Sequence, residues 1–238
     1  MEWRMRARRP TRRLVLVGAL AIVATVSAFE PATSAVPPGF VDELVAQGLD
    51  SPTALAVAPD GRVFLTEQTG AIRVVKQGRL LAAPFARLTV DAAVERGLLG
   101  IALPPDFATS QHVFVYHTVP GAPARNRVSR LTAQGDVARP GSTATIVDLD
   151  PLSGARNHNG GGLHFGVDGK LYVAVGDNAQ PGNAQSLANR LGKLLRLNPD
   201  GTIPPDNPIT FPNVAGRTTG ANRAIWAVGL RNPYTFAI

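Results

Sequence analysis

A strand, an Asp-Gly turn and a second strand recur along this chain, and that repeat limits the folds open to it more than any other feature. The segment from Pro52 to Leu65 aligns with the segment from Gly160 to Val173. Each reads as two apolar, β-rich runs joined by Asp60-Gly61 or Asp168-Gly169, a dipeptide suited to a tight hairpin. A third copy, Gly97 to Phe107, leads into Val113-Phe114-Val115-Tyr116, and a fourth begins at Arg231-Asn232-Pro233-Tyr234. Spacings of roughly 45 to 75 residues fit four-stranded propeller blades with loop insertions, the two apolar strands of each unit lying nearest a central channel. A Greek-key sandwich does not predict such copies. Three blades and the start of a fourth do not close a ring, so the sequence is expected to be part of a longer propeller.

The remaining features agree with an exported β-domain. At 238 residues and 45% hydrophobic content the chain can bury a substantial core. After the N-terminus only short segments near 41–47 and 184–190 read as helical. With no cysteine, packing alone must hold the domain. The net charge of +7 would suggest a polyanionic partner. However, Arg4, Arg6, Arg8, Arg9, Arg12 and Arg13 lie in the first 35 residues against only Glu2 and Glu30, which leaves the rest at +3. No basic tract interleaved with aromatics remains, so no nucleic-acid partner is expected. The arginine-rich start, the apolar run Leu14 to Phe29 and the small residues Thr33-Ser34-Ala35 read as a signal peptide over 1–35, with the domain over 36–238. That apolar run of 16 residues is shorter than the about 20 a membrane span needs, so no stable membrane partner is expected. Paired Arg12-Arg13 before Leu14 also suits a twin-arginine signal, and the export route stays open. The expected location is periplasmic or extracellular.

Chemistry concentrates in three segments. Asn157-His158-Asn159-Gly160-Gly161-Gly162 is followed, one hairpin later, by Gly176-Asp177-Asn178. Imidazole suits proton transfer near neutral pH, and antiparallel pairing brings His158 and Asp177 to the same sheet end, where a carboxylate fixes the ring's tautomer. On spacing alone the same residues are equally a capped hairpin end. In Gly229-Leu230-Arg231-Asn232-Pro233 the guanidinium offers a fork for a carboxylate or quinone oxygen, or is a surface arginine in a blade-entry loop. Glu95-Arg96 before Gly97-Leu98-Leu99-Gly100 is a third candidate that spacing does not decide. Phosphate-cradling loops, a zinc pattern and a Gly-x-Ser-x-Gly elbow are absent, and Asp148 with Asp150 reads as a turn.

Together the motifs resemble one family. Gly97-Leu98-Leu99-Gly100 with Pro105-Asp106-Phe107, His158-Asn159-Gly160-Gly161 with Gly176-Asp177, Gly192-Lys193-Leu194-Leu195-Arg196, and Gly229 with Arg231-Asn232-Pro233 are similar, in order and spacing, to the soluble PQQ-dependent glucose/sorbosone dehydrogenases. The match runs from about residue 40 to 238. The resemblance implies a six-bladed β-propeller, here three blades and part of a fourth, that binds pyrroloquinoline quinone (PQQ) and calcium and oxidises an aldose sugar to a lactone, passing electrons to an unknown acceptor. It implies His158 as general base, Asp177 as its orienter, Arg231 as a catalytic and cofactor contact, and Asn232, Glu95 and Asn157 as cofactor contacts. Asn157 and Glu95 depart from the residues usual in glucose-oxidising members, which leaves the sugar open. Calcium ligands are expected beyond residue 238, so this portion is expected to be inactive alone. A non-catalytic propeller acting as a binding module is the alternative, though it has no need of all four of His158, Asp177, Arg231 and Asn232.

Overall fold

The computed structural model describes residues 36–238, so the expected signal segment over 1–35 lies outside the described residues. All helices and strands described belong to one unit, Leu44–Ile238. The repeat builds its first hairpin as the turn chemistry dictates. Strands β1 (Pro52–Val57) and β2 (Val63–Glu67) pair antiparallel with Val57 opposite Val63. Between them Ala58 N–H donates to Arg62 O at 2.8 Å and Gly61 N–H to Ala58 O at 2.9 Å. Strand β3 (Ala71–Lys76) follows on β2 and carries the short β4 (Arg79–Leu80) and β5 (Ala86–Arg87) on its outer side.

The second sheet runs outward as β6 (Leu98–Ala102), β7 (His112–Val119), β8 (Arg125–Gln134) and β10 (Ala144–Pro151), with β9 (Val137–Ala138) also on β8. A one-turn helix α1 (Phe107–Ser110) stands where the other copies have the Asp-Gly turn. The third sheet is β11 (Gly160–Phe165), β12 (Leu171–Val175), β13 (Lys193–Leu197) and β14 (Ile225–Val228), with α2 (Pro181–Gln185) between β12 and β13. The first strands of the sheets, β1, β6 and β11, lie side by side, and each later strand steps outward. This is the arrangement of three successive propeller blades.

Apolar side chains fill the two gaps between blades. Phe64 meets Phe85 and Phe107 edge-on at 5.2 and 5.8 Å between the first and second sheets. Phe114 meets Phe165 at 5.1 Å between the second and third. Such pairs add about 0.5–1.5 kcal/mol each beyond the area they bury. The inner hairpin of every blade also shifts register near its start, at Pro52/Ala54, Leu98/Gly100 and Gly160/Leu163. Bulges there twist each blade at the same end, the end that carries the candidate residues.

Four local expectations need correction. Residues 41–47 form no helix, because their apolar side chains Val41, Leu44 and Val45 stay exposed and nothing rewards the helical pattern. The helix expected near 184–190 starts earlier, at Pro181, and ends at Gln185. Asp148 and Asp150 lie in strand β10 rather than a turn; Arg127 and Arg190 pair with them at 2.6 and 2.9 Å, which lets acidic residues occupy an outer strand. The segment from Arg231 onward forms no strand and crosses back toward β11, where Phe236 meets His164 edge-on at 4.7 Å.

Candidate active site

His158 precedes β11 by two residues and Asp177 follows β12 by two residues, so the β11–β12 pairing sets both at one sheet end. His158 Nδ1 lies 2.8 Å from Asp177 Oδ1, with both residues buried. A carboxylate only accepts, so His158 Nδ1 carries a proton, and Nε2 makes no hydrogen bond among the described residues. Asp177 is held in turn: Ala179 N–H donates to its Oδ1 at 2.8 Å, Asn183 Nδ2 to its backbone oxygen at 3.0 Å, and its own N–H to Arg231 O at 2.8 Å.

The backbone here is unusual. His158 has φ +57°, a left-handed conformation that costs a non-glycine residue about 1–3 kcal/mol and persists only where its surroundings impose it. They do so through Gly176: a Cβ at that position would lie 2.0 Å from His158 O, so only glycine lets the two segments meet. The His158 N–H then donates to Glu95 Oε2 at 2.7 Å, and its carbonyl accepts from Asn178 N–H at 3.0 Å.

Glu95 joins the two remaining candidate segments. Its Oε2 also accepts from Asn232 Nδ2 at 3.3 Å, while Asn232 Oδ1 accepts from Gly160 N–H at 2.9 Å. A cleft of about 330 Å³ opens beside this contact, lined by Thr53, Glu95, Leu99, Asn159, Gly160, Asn232 and Tyr234. Of the residues singled out in the sequence, Glu95 and Asn232 line it. His158 and Asp177 do not line it; both are buried, and His158 directly precedes the lining residue Asn159 in the chain. Arg231 is exposed and its guanidinium makes no ion pair or hydrogen bond among the described residues. Asn157 adjoins His158, is half-buried, and makes no side-chain hydrogen bond there either.

Reading the sequence missed the layer beneath. Tyr116 Oη donates to Asn159 O at 2.7 Å from β7, and Asn126 Nδ2 approaches the same oxygen at 3.4 Å while Thr118 Oγ1 donates to Asn126 Oδ1 at 2.7 Å. Burial drives the Tyr116 phenol far above its ordinary range, which keeps it a donor. Asn159 Oδ1, by contrast, is buried with no partner. The loop before His158 is clamped by Arg96, whose guanidinium reaches Ser153 O at 3.0 Å, Ala155 O at 2.9 Å and Asp91 at 2.7 Å. That guanidinium holds the Asp91 carboxyl below the usual carboxylate range, although burial opposes it. No group of three or more His, Cys, Asp or Glu side chains is placed to hold a metal among the described residues.

This geometry has relatives. Aldose sugar dehydrogenase YliI of Escherichia coli is 34% identical over 200 residues, covering 82% of this chain and 52% of that protein. Quinoprotein glucose dehydrogenase B of Acinetobacter calcoaceticus is 31% identical, covering 94% of this chain and 51% of that protein. Among solved structures, the PQQ-bound aldose sugar dehydrogenase of Streptomyces coelicolor superposes with a TM-score of 0.66 at 32% identity, over 80% of this chain and 54% of that one. The chain thus spans about half the length of the relatives it matches. The glucose/sorbosone dehydrogenase family model matches residues 49–238, and with the blades and the His158–Asp177 pair in place, the chain belongs to that family.

Proposed function

We propose that the protein is a PQQ-dependent sugar dehydrogenase that oxidises an aldose at its anomeric carbon to a lactone, with this chain supplying the proton-transfer side of the site. The observation that carries the reading is the 2.8 Å contact between His158 Nδ1 and Asp177 Oδ1 in a domain of this family. His158 Nε2 takes the sugar's hydroxyl proton; Asp177 fixes the ring through Nδ1 and stabilises the charge it gains. Bound PQQ would supply a quinone able to accept the hydride that leaves the same carbon.

The residues present fit such a group. Gly160 leaves the cleft wall without a side chain, so a flat molecule can approach the backbone, and Asn232 offers an amide. Arg231 stands next to it, its guanidinium without a partner among the described residues and suited to carboxylate and quinone oxygens. Glu95, its Oε2 occupied by His158 N–H and Asn232, sets the distance between the two walls, and Asn157, half-buried beside His158, is assigned to the cofactor by resemblance alone. Calcium finds no cluster of ligands among the described residues, and no step here depends on it. Residues 1–35 act as an export signal and the propeller works outside the cytoplasm, passing electrons to an acceptor of unknown identity.

A propeller that only binds a partner has no use for an oriented imidazole, which favours the enzyme. The test is dye reduction by the full-length protein with PQQ, calcium and an aldose. Arg231→Ala is expected to lower turnover and weaken PQQ binding together, since a cation beside the quinone serves ground and transition states alike. No dye reduction with any aldose would overturn the reading in favour of a binding module.

A further inference from the structure

Lys193 opens β13, and its side chain is fully buried. Its Nζ donates to Asn183 O at 2.5 Å and to Leu191 O at 2.7 Å. Asp150, the one acid whose charge acts on this amine, is bonded to Arg190 at 2.9 Å, and Lys193 makes no ion pair among the described residues. Burial pushes its amine down to about 8, partly offset by Asp150. A core position at a strand start has no need of an ammonium; methionine would fill the space without the desolvation cost.

What the ammonium touches explains it. Both acceptors belong to the segment that links Asp177 to β13. Asn183 passes the contact on, its Nδ2 donating to Asp177 O at 3.0 Å and its Oδ1 accepting from Asn189 Nδ2 at 3.0 Å. The same segment is tied to the chain entering Arg231, through Gly229 N–H to Ala184 O at 2.9 Å and Leu230 N–H to Gly192 O at 3.1 Å. A continuous path therefore runs from Lys193 through Asn183 to the backbone of Asp177, and from its carboxylate to His158. Hydrogen bonds from a charged donor are about twice as strong as neutral ones, which suits a fastener under a loop that is otherwise mostly exposed or half-exposed.

We propose that Lys193 is a positioning residue for the His158–Asp177 pair, its buried ammonium fixing Asn183 and through it the backbone of Asp177. The proposal rests on the reading of His158 as the base, and its test separates the two. Lys193→Met is made in the full-length protein, alone and together with His158→Gln. Without cofactor, amide hydrogen exchange over 177–185 is expected to speed up about tenfold or more, while β7 is unchanged. With PQQ, kcat is expected to fall about 10- to 100-fold with KM and PQQ affinity within about threefold, and that loss is expected to vanish in the His158→Gln background, because residues acting as a unit are not additive. Unchanged exchange and kcat, or the same loss of kcat in both backgrounds, would overturn it. If Lys193→Met fails to fold, Asn183→Ala cuts the path at its next bond on a half-buried side chain, and unchanged kcat there overturns it equally. Full turnover in His158→Gln alone would defeat the base assignment, and the exchange measurement would still report whether Lys193 holds the segment.

Discussion

Replacing Gly100 by alanine tests whether the inner strands of adjacent blades are in backbone contact, as the site requires. Gly100 lies in β6 with an ordinary φ, so alanine meets no conformational penalty there and the cost is steric alone. Its Cβ would lie 1.9 Å from Gly161 O, 3.1 Å from Gly161 C and 3.4 Å from Tyr116 Cβ. Ordinary contact requires β6 and β11 to separate by more than about 1 Å, and no side-chain rotation relieves a clash with backbone. Overpacking of this kind costs about 1–3 kcal/mol, and the absence of a rotameric escape puts it toward the upper end, against a gain below about 1 kcal/mol from restricting the unfolded chain. At about 2–4 °C per kcal/mol for a domain of this size, melting should fall by roughly 4–8 °C. Gly161 follows Gly160, which Asn232 holds at 2.9 Å, so the shift also displaces the walls joined by Glu95; a displacement near 1 Å can lower turnover about 100-fold. Gly154→Ala is the control, since nothing lies within 4 Å of a Cβ there. Calorimetry and turnover of both variants decide: if Gly100→Ala melts within about 1 °C of the parent, as Gly154→Ala should, the close approach of β6 and β11 is wrong.

Acid should destabilise the fold through His117, which burial and then Arg127 hold down to about 4 while its Nε2 meets Ser129 Oγ at 2.9 Å. The unfolded chain binds that proton near 6.5, so the stability is fully present above about 6.5 and is lost as pH falls toward 4, about 3 kcal/mol in all. Urea unfolding at pH 7 and pH 4.5 should show that loss in the parent and much less of it in His117→Gln. Tyr116→Phe removes the 2.7 Å bond to Asn159 O and should cost about 1 kcal/mol in the same assay; a cost near zero would mean that Asn126 alone satisfies that carbonyl.

Much of the fold is local and so was legible. Asp60-Gly61 and Asp168-Gly169 determine their hairpins within a few residues, and copying that unit implies blades. The approach of His158 to Asp177 followed from one antiparallel pairing. What escaped was set by distant parts of the chain. Asn159 acquires its role only because Tyr116 and Asn126 arrive from 43 and 33 residues away. Asp148 and Asp150 look like turn residues until Arg127 and Arg190 come beside them. Lys193 read simply as part of a motif, because nothing local signals that its ammonium is buried under the Asp177 loop.

His158 is proposed to take the sugar's proton, and His158→Gln tests that role most directly. Glutamine preserves much of the size and a hydrogen bond toward Asp177, so PQQ titration of the full-length variant should give an affinity within about threefold of the parent, while dye reduction with an aldose falls by about a hundredfold to ten-thousandfold, the usual share of a general base. Full turnover in His158→Gln would contradict the assignment and leave the His158–Asp177 contact as the cap of a hairpin end.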